Sequence, residues 1–207
     1  MATDLWLAFV LAAGVLLLLP GPTVLLIVGF ALANGTRAAL AAMIGVVFAD
    51  ALAFSVCGFG LGVVLLASAE LFAMLKWAGA AYLVYLGIRQ WRARAVPIRM
   101  EAAARRPIGR LMGQAFLVTA LNPKSLVFFI AFLPQFIDPR LPLGDQLLVL
   151  GATFFTLVVI VVGGYAMLAG GLRGLVAKES SALLVNRIGG GALIGAGLMT
   201  ALMRRGA

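Results

Sequence analysis

Histidine is absent from this chain of 207 residues, and a single cysteine, Cys57, stands inside an apolar run. The commonest metal ligand and the commonest proton shuttle near neutral pH are therefore missing. A zinc centre or a thiol relay has almost no ligands to draw on. No internal disulfide can form, and Cys57 reads as a small core hydrophobe. No glycine-rich phosphate loop ends in Gly-Lys-Ser or Gly-Lys-Thr, so nothing points to ATP use. No nucleophile and base stand in a catalytic pattern, so neither an enzyme nor a cofactor is expected. Charge is scarce as well. Asp, Glu, Lys and Arg make up 11% of the chain, against about 25% in soluble domains.

What remains is apolar. Hydrophobic residues account for 64% of the sequence, more than a core of this size absorbs, which marks a polytopic membrane protein. Six runs are long enough to span a bilayer: Leu5–Ala33, Ala38–Ala67, Leu71–Ile88, Leu111–Ile137, Gln146–Leu172 and Ile188–Met203. The sixth is the shortest. Ala31-Leu32-Ala33 resembles a signal-peptide cleavage site, but the first residues carry Asp4 and no base, and the run is too long. It is read as a span.

The net charge is +9. The bases lie between the apolar runs, which fits loops that fix membrane orientation and not a nucleic-acid surface. The longest linker, Arg89 to Arg110, holds seven arginines against Glu101 alone. The positive-inside rule puts this loop in the cytoplasm, with both termini outside. Arg204 and Arg205 then lie on the unfavoured side. Trp6, Trp77 and Trp91 stand near span ends, as interfacial tryptophans do. Glycines at Gly58, Gly60 and Gly62, and at Gly191 and Gly195, have the spacing that lets helices approach closely. Packing within one protomer is one reading; a homodimer face is the alternative.

Two of the runs are interrupted. Pro20-Gly21-Pro22 breaks the first, and Asn122-Pro123 breaks the fourth, about half the chain later. A proline lacks an N–H, and its ring clashes with the carbonyl four residues back. In lipid the freed backbone groups have no partners, so each break must face protein or a water-filled cavity. Interrupted helices at matching places in two halves point to a transporter's binding site. The fold expected is all-α: one transmembrane domain over residues 1–207, with six helices arranged as two inverted three-helix repeats. The first repeat covers about residues 1–89 and the second about 111–207, with the cytoplasmic loop, about 89–110, between them.

Two charges stand at membrane depth. Asp50, between Ala49 and Ala51 in the second span, is costly there and should face the interior. It reads as a proton-coupling site or an anchor for a substrate amine; a structural ion pair is the bland alternative. Lys124 follows the second break and is suited to a substrate carboxylate or to pairing with Asp50. The break at Pro20, Gly21 and Pro22 and the break at Asn122 and Pro123 expose helix N-termini, whose N–H groups suit a carboxylate. Asn122 adds an amide. Tyr82 and Gln135 are weaker candidates. Asn34, Gln114 and Thr119 read better as interfacial hydrogen-bonding residues, and Lys76 as a residue near the outer interface.

Three motifs resemble a known family. The Pro20-Gly21-Pro22 break, the run from Gly79 to Gly87 with Tyr82 and Tyr85, and the run from Asn122-Pro123-Lys124 through Phe128-Phe129 to Leu133-Pro134-Gln135-Phe136 are similar to the LysE/RhtB amino-acid exporters. The likeness covers nearly the whole chain. It implies export of amino acids or close derivatives across the bacterial inner membrane, driven by an ion gradient, with protons or another ion coupled. It matches Pro20, Gly21, Pro22, Asp50, Asn122, Pro123 and Lys124 to functional positions. The family's substrates run from lysine and arginine to threonine, homoserine and leucine; a single mid-membrane acid argues against a doubly cationic one. The reading is a secondary exporter working by alternating access. The alternatives are an exporter of a metal or toxic cation, and a non-transporting membrane scaffold.

Overall fold

The computed structural model describes residues 1–67, 69–93, 106–138, 140–176 and 179–202. Arg94, Arg99, Glu101 and Arg105 of the basic loop, Lys178, Met203, Arg204 and Arg205 lie outside the described residues, as does the Lys76 side chain. The described elements are helical throughout. Helix α1 (Thr3–Leu18) and helix α2 (Pro22–Asn34) form the first broken pair, bent by 53°. Helix α3 spans Thr36–Ala67 and helix α4 spans Ala69–Trp91. Helix α5 (Ile108–Ala120) and the stretch Pro123–Phe136, which opens with helix α6 (Pro123–Val127), form the second broken pair, bent by 48°. Helix α6 runs on into a π-helical turn, Phe128–Phe132, and a 3-10 turn, Leu133–Phe136. Helix α7 (Leu143–Val176) and helix α8 (Glu179–Leu202) complete the chain.

Each boundary has a local cause. Leu19 and Asn122 both precede a proline, which disfavours the helical region, and both are extended, with ψ of 112° and 110°. Pro22 and Pro123 each open the next helix, where the missing N–H costs nothing. The Asn122 side chain accepts from the Lys124 N–H and caps α6. Between α2 and α3 the chain turns a corner at Gly35, with φ +90° and ψ 156°, a conformation open essentially to glycine alone.

Among the described residues, α3 and α7 are each long and apolar enough to cross a membrane, and each bent pair passes the same test as one unit. That makes two spans, or four with the pairs, where six runs were expected. Helices α4 and α8 have 23 and 24 residues and include positions whose side chains lie outside the described residues.

The core is aromatic around the second break. Phe128 and Phe132, one π-turn apart, stack with centroids 5.5 Å apart, and Phe129 meets Phe154 of α7 edge-on at 4.9 Å. Phe9 of α1 packs on both Phe128 and Phe136. Phe128, Phe129 and Phe132 of this π-turn are all buried. At the loop before α7, buried Gln146 accepts from the Asp138 N–H at 2.8 Å and donates to the Asp138 carbonyl at 2.9 Å. Exposed Arg140 donates to the Asp138 carboxylate and holds it below the ordinary carboxyl range.

Helices α4 and α8 lie against each other along glycines. A Cβ added at Gly190 would fall 2.5 Å from the Gly87 carbonyl oxygen, and one at Gly197 would fall 2.7 Å from that of Ala80. The closest backbone approach thus runs through Gly190 and Gly197, two turns apart on one face, and of the pair marked in the sequence Gly191 also lies against α4. Gly191 faces the Trp91 ring and Gly195 faces open space. Gly190→Ala should therefore force the two backbones apart and cost about 1–3 kcal/mol. Gly195→Ala should be neutral. Thermal unfolding in detergent separates the two.

Candidate functional site

A break in a helix leaves two kinds of orphan group. The helix before it ends in unpaired carbonyls, and the helix after it begins with unpaired N–H groups. At the first break the carbonyl end is closed by side chains from elsewhere. Tyr165 of α7 donates its hydroxyl to the Leu18 carbonyl at 2.8 Å. Lys124 of α6 donates its ammonium to the Leu19 carbonyl at 2.6 Å. A cation there also meets the negative end of the α1 dipole. The N–H end is left open. Gly21 caps α2 without a side-chain acceptor, and the first backbone bond of the helix runs from Leu25 to the Gly21 carbonyl. The Thr23 and Val24 N–H groups precede that bond and have no intrahelical partner.

The two breaks are tied together. Thr23 and Thr119 share a hydrogen bond between hydroxyls at 3.1 Å, and the Asn122 amide donates to the Thr23 hydroxyl at 3.2 Å. All three side chains are buried. The carbonyl side of Asn122 is taken by the Lys124 N–H at 3.1 Å, which fixes the amide's orientation.

Beside this junction is a cavity of about 30 Å³. Its polar lining is Gly21, Thr23, Asp50, Asn122, Lys124 and Ser125; Val46, Phe154 and Val162 supply apolar wall. Asp50 is only 3% exposed. Its Oδ1 atom is buried with no hydrogen-bond partner among the described residues, and the groups that bear on it are the Ser125 hydroxyl and the Lys124 ammonium. Asp50 and Lys124 thus face one cavity, but no ion pair closes between them among the described residues. The volume holds a water or two and is too small for an amino acid.

The other residues singled out in the sequence lie as follows. Pro20, Pro22 and Pro123 make the breaks and do not line the cavity. Tyr82 is 39% exposed on α4 and packs on Tyr85. Gln135 stands in the 3-10 turn, outside the cavity lining. Asn34 accepts from the Arg106 N–H, and Gln114 accepts from the Arg106 side chain. Thr23, Ser125 and Tyr165 were not singled out. The first two are neighbours of the breaks, so proximity to a proline was the available signal. Tyr165 carried none, because it reaches the break from a distant part of the chain.

The LysE-type translocator family model matches residues 14–204, a stretch that contains both breaks, Asp50 and Lys124. The chain belongs to the LysE-type translocator family. Its relatives include a homoserine/homoserine lactone efflux protein of Salmonella typhimurium, 38% identical over 82% of each chain. A protein of the same description from Salmonella typhi is 39% identical over the same shares. A Vibrio cholerae relative described as an uncharacterized membrane protein is 37% identical over 97% of this chain and 98% of its own. No solved structure matches.

In this LysE-type chain the Thr23 hydroxyl is the shared element of the junction. Thr23→Val keeps the shape but leaves the buried Asn122 amide without its acceptor. An unsatisfied buried donor costs about 1–3 kcal/mol. The variant should lose that much unfolding free energy, and Thr119→Val in the same background should add less than it does alone, since the partner is already gone. Additive losses in unfolding measurements would dissolve the proposed link between the breaks.

Proposed function

We propose that this LysE-type translocator is a secondary exporter of zwitterionic amino acids and their close derivatives, with homoserine and its lactone as the first substrates to test. The observation that carries this reading is the first break. It presents a cation-seeking end, the last carbonyls of α1, and an anion-seeking end, the free N–H groups of α2, on either side of Gly21. An α-amino acid carries its ammonium and carboxylate on one carbon, so it spans such a break. Asp50, with its unpartnered oxygen, supplies the charge for the ammonium. Thr23 and Asn122 supply hydroxyl and amide groups for a polar side chain. The efflux activity in the names of the Salmonella relatives supports the direction of transport.

In this reading the six apolar runs form two inverted repeats in the bacterial inner membrane. The lengths agree: α3 and α7 have 32 and 34 residues, and each follows a broken pair and precedes a shorter helix. The tight cavity corresponds to a closed stage of an alternating-access cycle, and substrate enters by parting the two breaks. Asp50, buried and without a direct ion pair, is the group that takes up and releases the coupled proton.

Asp50→Asn tests the coupling role. The amide keeps the size and a carbonyl acceptor but cannot carry the proton. Because Asp50 has no direct ion pair to lose, the variant should melt close to the parent protein. Gradient-driven efflux of labelled homoserine from proteoliposomes should fall to background, while gradient-free exchange persists. Full gradient-driven efflux would remove Asp50 from coupling. Severe destabilisation rescued by Lys124→Met would make the two residues a structural pair.

A further inference from the structure

The cation-seeking end of the first break is already filled by the protein itself. Lys124 Nζ donates to the Leu19 carbonyl at 2.6 Å. Its chain lies along the break: a Cβ at Gly21 would touch Lys124 Cδ at 3.5 Å and Nζ at 3.7 Å. The same cavity holds the partnerless Oδ1 of Asp50. An ammonium on the negative end of α1, near an unsatisfied carboxylate oxygen, is the arrangement a substrate's α-ammonium would adopt. Lysine and substrate carry the same kind of group, a charged amine with three donors and no acceptor. Both cannot occupy a cavity of about 30 Å³.

We infer that Lys124 stands in for the substrate ammonium in the unloaded transporter and is displaced from Leu19 when substrate binds. The inference rests on the amino-acid reading and departs from the simpler assignment of Lys124 to the substrate carboxylate. It gives the empty transporter a function for the lysine: its charge accompanies Asp50 and satisfies the Leu19 carbonyl, so the break closes without cargo. The free N–H groups of Thr23 and Val24 remain for the carboxylate. The lysine is then a competitor, and the apparent affinity for substrate is lowered by the fraction of protein in which it occupies the site.

The two assignments predict opposite results. Purified protein and its Lys124→Met and Lys124→Gln variants are titrated calorimetrically with homoserine, with homoserine lactone, which has the amine but no carboxylate, and with 4-hydroxybutanoate, which has the carboxylate but no amine. Removing a competitor should tighten homoserine and its lactone by about tenfold in Lys124→Met and leave 4-hydroxybutanoate no tighter. Lys124→Gln, whose amide still reaches a carbonyl, should fall between and serves in its place should the Met variant not fold. Weaker homoserine binding with the lactone unchanged would overturn the inference and make Lys124 a carboxylate clamp. Unchanged binding of all three would overturn it and leave the lysine a cap on α1. Absence of homoserine and lactone binding to the parent and to both variants would overturn the amino-acid reading itself, and the inference with it.

Discussion

Backbone groups released at membrane depth must find partners inside the protein, and much of this structure answers that one requirement. An unpaired carbonyl or N–H in hydrocarbon costs several kcal/mol. Pro20 and Pro123 release such groups twice. The replies come from every side: Tyr165 from α7, Lys124 from α6, and the Asn122 side chain to the N–H of Lys124. Thr23 and Thr119 then join the two sites. At this junction, among the described residues, one Asp50 oxygen has no partner and the first N–H groups of α2 have none within their helix; in the proposed function these are the groups that meet cargo.

The apolar architecture positions this junction and separates it from the rest. The phenylalanines of the π-turn pack with Phe9 and Phe154 and hold α6 against α1 and α7. The α4–α8 pair is zipped by glycine contacts too close for any side chain. Interfaces of that kind have one good arrangement and tolerate little adjustment. In the proposed alternating-access reading, such rigid parts would rock about the two broken helices, with the breaks absorbing the change in angle.

Much of the fold and part of the site were legible in the sequence. Proline chemistry made both breaks visible, and the cost of charge in lipid made Asp50 and Lys124 visible. Membrane character followed from the near absence of charge. What could not be read was anything depending on contacts between distant segments. Tyr165 looks like any tyrosine in an apolar run until α7 is placed beside α1. Thr119 read as an interfacial residue because its partner, Thr23, is in the other half of the chain. Gly191 and Gly195 have the expected spacing, but the closest backbone approach to α4 is made by Gly190 and Gly197. The reach of Lys124 back across the first break, to Leu19 and not to Asp50, is likewise a matter of distances that no spacing encodes.

The central claim is that the first break is the binding element and not a bend. Replacing Pro20, Gly21 and Pro22 together by alanine should restore the helical hydrogen bonds and withdraw both the free carbonyls and the free N–H groups. Space permits the change, since a Cβ at Gly21 makes only ordinary contacts with Lys124. The decisive measurement is efflux of labelled homoserine from proteoliposomes holding this triple variant, with insertion and melting temperature checked on the same preparation. The account predicts an inserted, stable protein with no efflux. Efflux at the parent rate would contradict it and reduce the break to a feature of shape.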